Sequence, residues 1–100
     1  MVKNLKESKT TTHARRLYAR GCQLQQAGKL DEAVSELSRA IECDARCAEA
    51  YFSRGACHYM LGHYRLARND LDAAAVLGCE EAQLWSRFDN RSYVLAVEDQ

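Results

Sequence analysis

Five cysteines, Cys22, Cys43, Cys47, Cys57 and Cys79, and two histidines, His58 and His63, are the side chains best suited to chemistry. A structural zinc needs four thiolates or imidazoles converging on one point, usually through closely spaced pairs. The chain has no Cys-x-x-Cys pair, and Cys43 and Cys47 stand on either side of an expected helix break, so no metal is expected. A cysteine nucleophile working with His58 or His63 would need a third group to orient the imidazole and donors for an oxyanion, and the sequence offers neither. Gly28 and Gly62 stand singly between helical patterns, not in a phosphate-cradling loop. No enzyme and no cofactor are expected. The opening MVKNLKESKTTTH lacks the apolar centre of a secretory signal. The cysteines therefore read as small, buriable side chains in a reducing, cytoplasmic setting.

The elements that would position these residues are helices. From Ala48 to Leu77 the chain splits at Leu61-Gly62-His63 into two helical patterns. Tyr51, Gly55, His58 and Tyr59 fall at i, i+4, i+7 and i+8 in the first, and Tyr64, Ala67, Leu71 and Ala74 at i, i+3, i+7 and i+10 in the second. Upstream, a helix is expected from about His13 to Ala27, capped by Thr11 or Thr12 and carrying Leu17, Gly21 and Leu24 on one stripe. A second is expected over Leu30–Cys43, with an apolar face of Leu30, Ala33, Val34, Leu37, Ala40 and Ile41. Asp44 is placed to cap the helix that follows, and Gly78 closes the fourth. Gly21 and Gly55 are expected where paired helices come closest, because a Cβ there would force the backbones apart.

A shift of 34 residues superposes the two hairpins: Ala14 on Ala48, Arg20 on Arg54, Gly21 on Gly55, Gly28 on Gly62, Ala33 on Ala67, Leu37 on Leu71 and Ala40 on Ala74. In period and in the placing of these small residues the chain resembles the tetratricopeptide repeat family. It departs from that pattern where Arg20 and Arg54 replace a leucine, and where Ala45 and Cys79 stand in place of a closing proline. The resemblance implies an all-α fold, a right-handed superhelical array of helix-turn-helix repeats with about five helices. The expected division is a flexible basic tail over 1–12, a domain over 13–89 and a tail over 90–100. Within the domain lie repeats 14–47 and 48–81 and a capping helix 80–89, whose Leu84, Trp85 and Phe88 would cover the open edge.

Function follows from that resemblance: a noncatalytic protein-interaction module taking a peptide on its concave face. Mapped onto this chain, the concave face offers Arg15, Tyr18, Cys22, Gln25, Glu49, Phe52, Ser53, Tyr59, Gln83 and Arg87. The alternative is a self-assembling scaffold unit joined through open repeat edges and the apolar run Tyr93–Val97. Family members that clamp acidic chaperone tails use lysines and asparagines where this chain has Tyr18, Cys22, Ser53 and Gln83; only Arg87 fits, so no such clamp is expected.

Composition sets the remaining bounds. A chain of 100 residues buries about 60 to 65% of its unfolded surface, enough for one small domain. Acids and bases balance at 14 each, which argues against a nucleic-acid surface, but residues 1–29 hold seven bases and one acid. No apolar run is long enough to span a membrane. The expected state is a monomer or weak homo-oligomer.

Overall fold

Helix propensity and three glycine stops account for the architecture. The computed structural model describes residues 2–85 and 87, with side chains from residue 11 onward. Four helices follow one another, α1 (Val2–Gln26), α2 (Leu30–Cys43), α3 (Ala48–Met60) and α4 (Tyr64–Val76), and a further helical segment begins at residue 80 and is described over 80–85 and at 87. With this fifth helix the fold is an all-helical repeat array.

Helix α1 starts well before the position expected from the threonines. Nothing between Val2 and Gln26 breaks a helix except Gly21, since proline is absent, so Thr11 and Thr12 lie inside α1 instead of capping it. Asp44 also departs from its expected role. It is the C-terminal cap residue of α2, and its Oδ1 accepts the Arg46 N–H at 3.1 Å within the link, while Cys47 stands at the start of α3. The tail 90–100 and Phe88 lie outside the described residues.

The ends of α1 and α3 are built alike. Gly28 and Gly62 take φ of +82° and +84°, a region that costs a side chain energy and glycine almost nothing. Each closes its helix with the same pair of bonds: Gly28 N–H to Gln25 O and Lys29 N–H to Leu24 O, then Gly62 N–H to Tyr59 O and His63 N–H to His58 O.

Packing runs α1 on α2, α2 on α3 and α3 on α4, with a lighter contact of α1 on α3. The core is unusually rich in small side chains: Ala14, Ala33, Ala40, Ala50, Ala67, Ala74 and Ala82 are buried with Leu17, Leu37, Leu71 and Cys57. Small residues let the helices approach closely, and the two glycines mark where. A Cβ at Gly21 would lie 2.6 Å from Leu37 Cγ, and one at Gly55 would lie 3.0 Å from Leu71 Cγ and 3.2 Å from the Ala67 carbonyl oxygen. Gly55→Val is expected to cost about 1 to 3 kcal/mol through overpacking, read as a lower midpoint in a circular dichroism melt.

The fifth segment docks by a different set of side chains from that expected. Ala82 is fully buried, the Trp85 ring meets Tyr59 edge-on at 6.1 Å, and the Gln83 amide donates to the Ala75 carbonyl at 3.0 Å. Leu84 remains 51% exposed, because two residues after Ala82 it falls about 200° around the helix.

Candidate functional site

Antiparallel pairing within each hairpin brings α1 and α3 side by side, and their shared edge collects half of the concave-face residues. Tyr18 is half-buried and packs against both core clusters, one around Leu17, Ala40 and Ala50 and the other around Ala33, Leu37 and Cys57. Cys22 Sγ lies 3.8 Å from Ser53 Oγ across the boundary between the repeats. Burial pushes the Tyr18 hydroxyl above its usual range; its hydrogen bond to Cys22 adds to that rise and the one to Ser53 opposes it. A cleft of about 260 Å³ opens beside this group, lined by Thr11, Ala14, Arg15, Tyr18, Asp44, Arg46, Cys47 and Glu49.

The other sequence-derived residues are placed as follows. Gln25 and Phe52 are half-buried, and Arg87 is exposed. Tyr59 is engaged by its neighbours, edge-on to Tyr64 at 5.2 Å as well as to Trp85. Gln83 spends its amide donor on docking the fifth segment. The structure therefore gathers Arg15, Tyr18, Cys22, Glu49 and Ser53 at the α1–α3 edge, while Tyr59 and Gln83 take part in closing the array.

Sequence reasoning missed a polar device that recurs in both repeats. Arg54 Nε donates to Asp70 Oδ2 at 2.8 Å, Nη2 donates to Oδ1 at 2.7 Å, and Nη1 donates to Ser38 Oγ at 3.0 Å. One guanidinium thus fastens α3 to α4 within its own repeat and to α2 of the repeat before. Its charge also sits 5.8 Å from the Tyr51 ring centroid. The equivalent pair one repeat earlier is Arg20 and Glu36, 3.9 Å apart, with Arg20 70% exposed and Glu36 only 17% exposed. The signal was present: a base and an acid 16 residues apart, repeated after 34.

His58 lies against this device. Its side chain is 12% exposed, its Nε2 is 3.9 Å from Asp70 Oδ2, and its Nδ1 is buried without a hydrogen-bond partner among the described residues. Burial is the main force lowering its pKa, with Arg54 and His63 also lowering it and Asp70 opposing them. A histidine whose folded pKa lies below its unfolded value destabilises the fold as the pH falls through about 6.5 and on through the folded pKa, because the unfolded chain takes up the proton first. Leu24 holds the equivalent place in the first repeat. His58→Leu is therefore expected to raise stability by about 1 kcal/mol at neutral pH and to flatten the loss between about pH 7 and 5 in thermal melts.

Three of the thiols, Cys47, Cys57 and Cys79, are tuned away from reactivity. Burial pushes Cys57 up to about 11, and it also raises Cys47 and Cys79, so these groups hold their protons at neutral pH. Among the described residues no group of three or more His, Cys, Asp or Glu side chains is arranged to hold a metal ion. No helix among them is long and apolar enough to cross a membrane.

A family model described as TPR repeat matches residues 16–62, which runs from the middle of α1 to the Gly62 stop. No curated protein matches the chain.

Proposed function

The chain belongs to the tetratricopeptide repeat family, and from that premise we propose that it is a noncatalytic module that holds an extended segment of a protein partner along the face formed by α1, α3 and the start of the fifth helix. Repeats of this family generally mediate protein–protein interaction. The observation that supports this reading is the meeting of Arg15, Tyr18, Cys22, Glu49 and Ser53 at the α1–α3 edge beside a cleft. An aromatic wall with hydroxyl, thiol and charged groups around it suits an apolar side chain seated in the cleft and a backbone fixed by hydrogen bonds. The interaction domain is taken as residues 13–89.

The test is a quantitative pull-down comparing the parent with a Phe52→Ala, Arg15→Glu variant. Both positions lie outside the two core clusters, so the variant should melt like the parent. Loss of an aromatic contact at a peptide site costs about 2 kcal/mol or more, so captured partner should fall by at least about tenfold. Equal recovery of the same partners by both proteins would contradict this reading. A second reading, a self-assembling scaffold unit, is favoured by one observation, the segregation of charge along the chain.

A further inference from the structure

Basic residues recur along α1 at Lys6, Lys9, His13, Arg16 and Arg20, that is at i, i+3, i+7, i+10 and i+14. At helical period these positions share one face over about 21 Å. Glu7, the one acid in residues 1–29, falls off that face. His13, Arg16 and Arg20 are exposed, and among the described side chains of the strip only Arg20 has a carboxylate at ion-pairing distance. Arg20 is itself 70% exposed, so that single pair at 3.9 Å leaves the strip's charge largely uncompensated.

The opposite charge collects toward the other end of the array. A groove of about 450 Å³ between the start of α3 and the start of the fifth helix is lined by Arg46, Ala48, Glu49, Leu77, Gly78, Cys79, Glu80 and Glu81. Among the described residues none of its three carboxylates forms an ion pair. Cys47 donates to Glu49 at 3.8 Å and Cys79 donates to Glu81 at 3.4 Å. Residues 1–29 carry a net +6, and since the whole chain is formally neutral the rest carries −6. Each patch repels itself within one molecule, and contact between the two patches relieves both.

We propose that the basic face of α1 in one copy docks in the acidic groove of a second copy, giving a salt-sensitive head-to-tail assembly. This deepens the scaffold reading and rests on it; the groove shares Arg46 and Glu49 with the cleft of the concave face, so the groove variant is confined to Glu80 and Glu81, which do not line that cleft. The two patches lie on different elements, so the contact is heterologous and continues past the dimer. A nucleic acid suits the strip less well, because the strip carries no Phe, Tyr or Trp ring for bases to stack on and the remainder of the chain repels phosphate. A membrane suits it less well because the apolar side of α1 is occupied by α2 and α3.

Sedimentation velocity of the full chain at about 0.1 M and about 1 M salt, where the screening length falls from about 10 to about 3 Å, tests the proposal. The parent should form species larger than a dimer in low salt and run as a monomer in high salt. A strip variant (Lys6→Gln, Lys9→Gln, Arg16→Gln) and a groove variant (Glu80→Gln, Glu81→Gln) should each need at least about tenfold more protein to assemble. Mixed one to one, they should form a dimer that does not grow, since the mixture joins one intact groove to one intact strip and leaves two neutralised ends. A parent that is monomeric at both salts overturns the proposal, as does a parent that assembles while the mixed variants stay monomeric. A parent that stays monomeric yet binds a single-stranded RNA homopolymer overturns it in favour of a polyanion-binding strip.

Discussion

Leu37→Ala is expected to lower the unfolding free energy by about 3 to 5 kcal/mol, a large share of what a small domain possesses. Leu37 is fully buried and belongs to the cluster with Ala33 and Cys57, joined by Tyr18, Leu24, Leu30 and Val34, so it ties the first repeat to α3 of the second. It also fills the space that Gly21 leaves open, for a Cβ on Gly21 would lie 2.6 Å from its Cγ and 2.7 Å from its Cδ2. Gly21 and Ala33 beside it have little side chain with which to refill the hole, which leaves any refilling to the partly buried Tyr18, Leu24, Leu30 and Val34 at the edge of the cluster. The mechanism has its own signature in denaturant unfolding. Gly21→Ala should destabilise the parent strongly but the Leu37→Ala background only slightly, so the two changes should be non-additive. Additive effects would show that Gly21 and Leu37 do not share one space.

The second large effect is expected at Asp70. Asp70→Ala should cost about 3 kcal/mol, because it leaves a largely buried Arg54 guanidinium without the carboxylate that accepts two of its N–H groups. Asp70 is only 6% exposed, and the hydrogen bond to it is the first cause holding the Arg54 pKa above its ordinary value. Arg54 keeps its bond to Ser38 and some contact with water, which holds the loss near the lower end for a broken buried pair. The same deletion one repeat earlier, Glu36→Ala, should cost under about 0.5 kcal/mol, since both of its cationic partners, Arg20 at 3.9 Å and Arg39 at 3.4 Å, are exposed and keep their hydration when it is removed. Equal losses at the two positions in urea unfolding would refute the burial argument.

Much of the fold was legible because small residues speak clearly. Gly21, Gly55 and the alanines at 33, 40, 67 and 74 mark close helix contacts from sequence alone, and Gly28, Gly62 and Gly78 mark the stops. The expected α2 coincides with the observed Leu30–Cys43. The start of α1 is not legible, because a run of threonines, weak helix formers, looks like a boundary although nothing there forbids a helix. Residue type makes Asp44 a helix-cap candidate, whereas link geometry turns its carboxylate onto the Arg46 N–H. In sequence Arg54 is simply a departure from the repeat pattern. Its role depends on Asp70 and Ser38, each 16 residues away in opposite directions, and a stripe drawn on one helix cannot contain all three. At the functional edge, spacing located Tyr18 and Ser53, but it could not tell that Tyr59 and Gln83 would be taken up in docking the fifth segment.

The most direct test of the proposed binding face is site-specific photocrosslinking in native lysate, with a benzophenone side chain placed at Phe52 on the proposed face or at the exposed Leu66 on α4. A partner band formed from position 52 and absent from position 66, and lost when Arg15→Glu is added, is the result predicted here. A band of equal strength from position 66, or one from position 52 that is indifferent to Arg15→Glu, would contradict it.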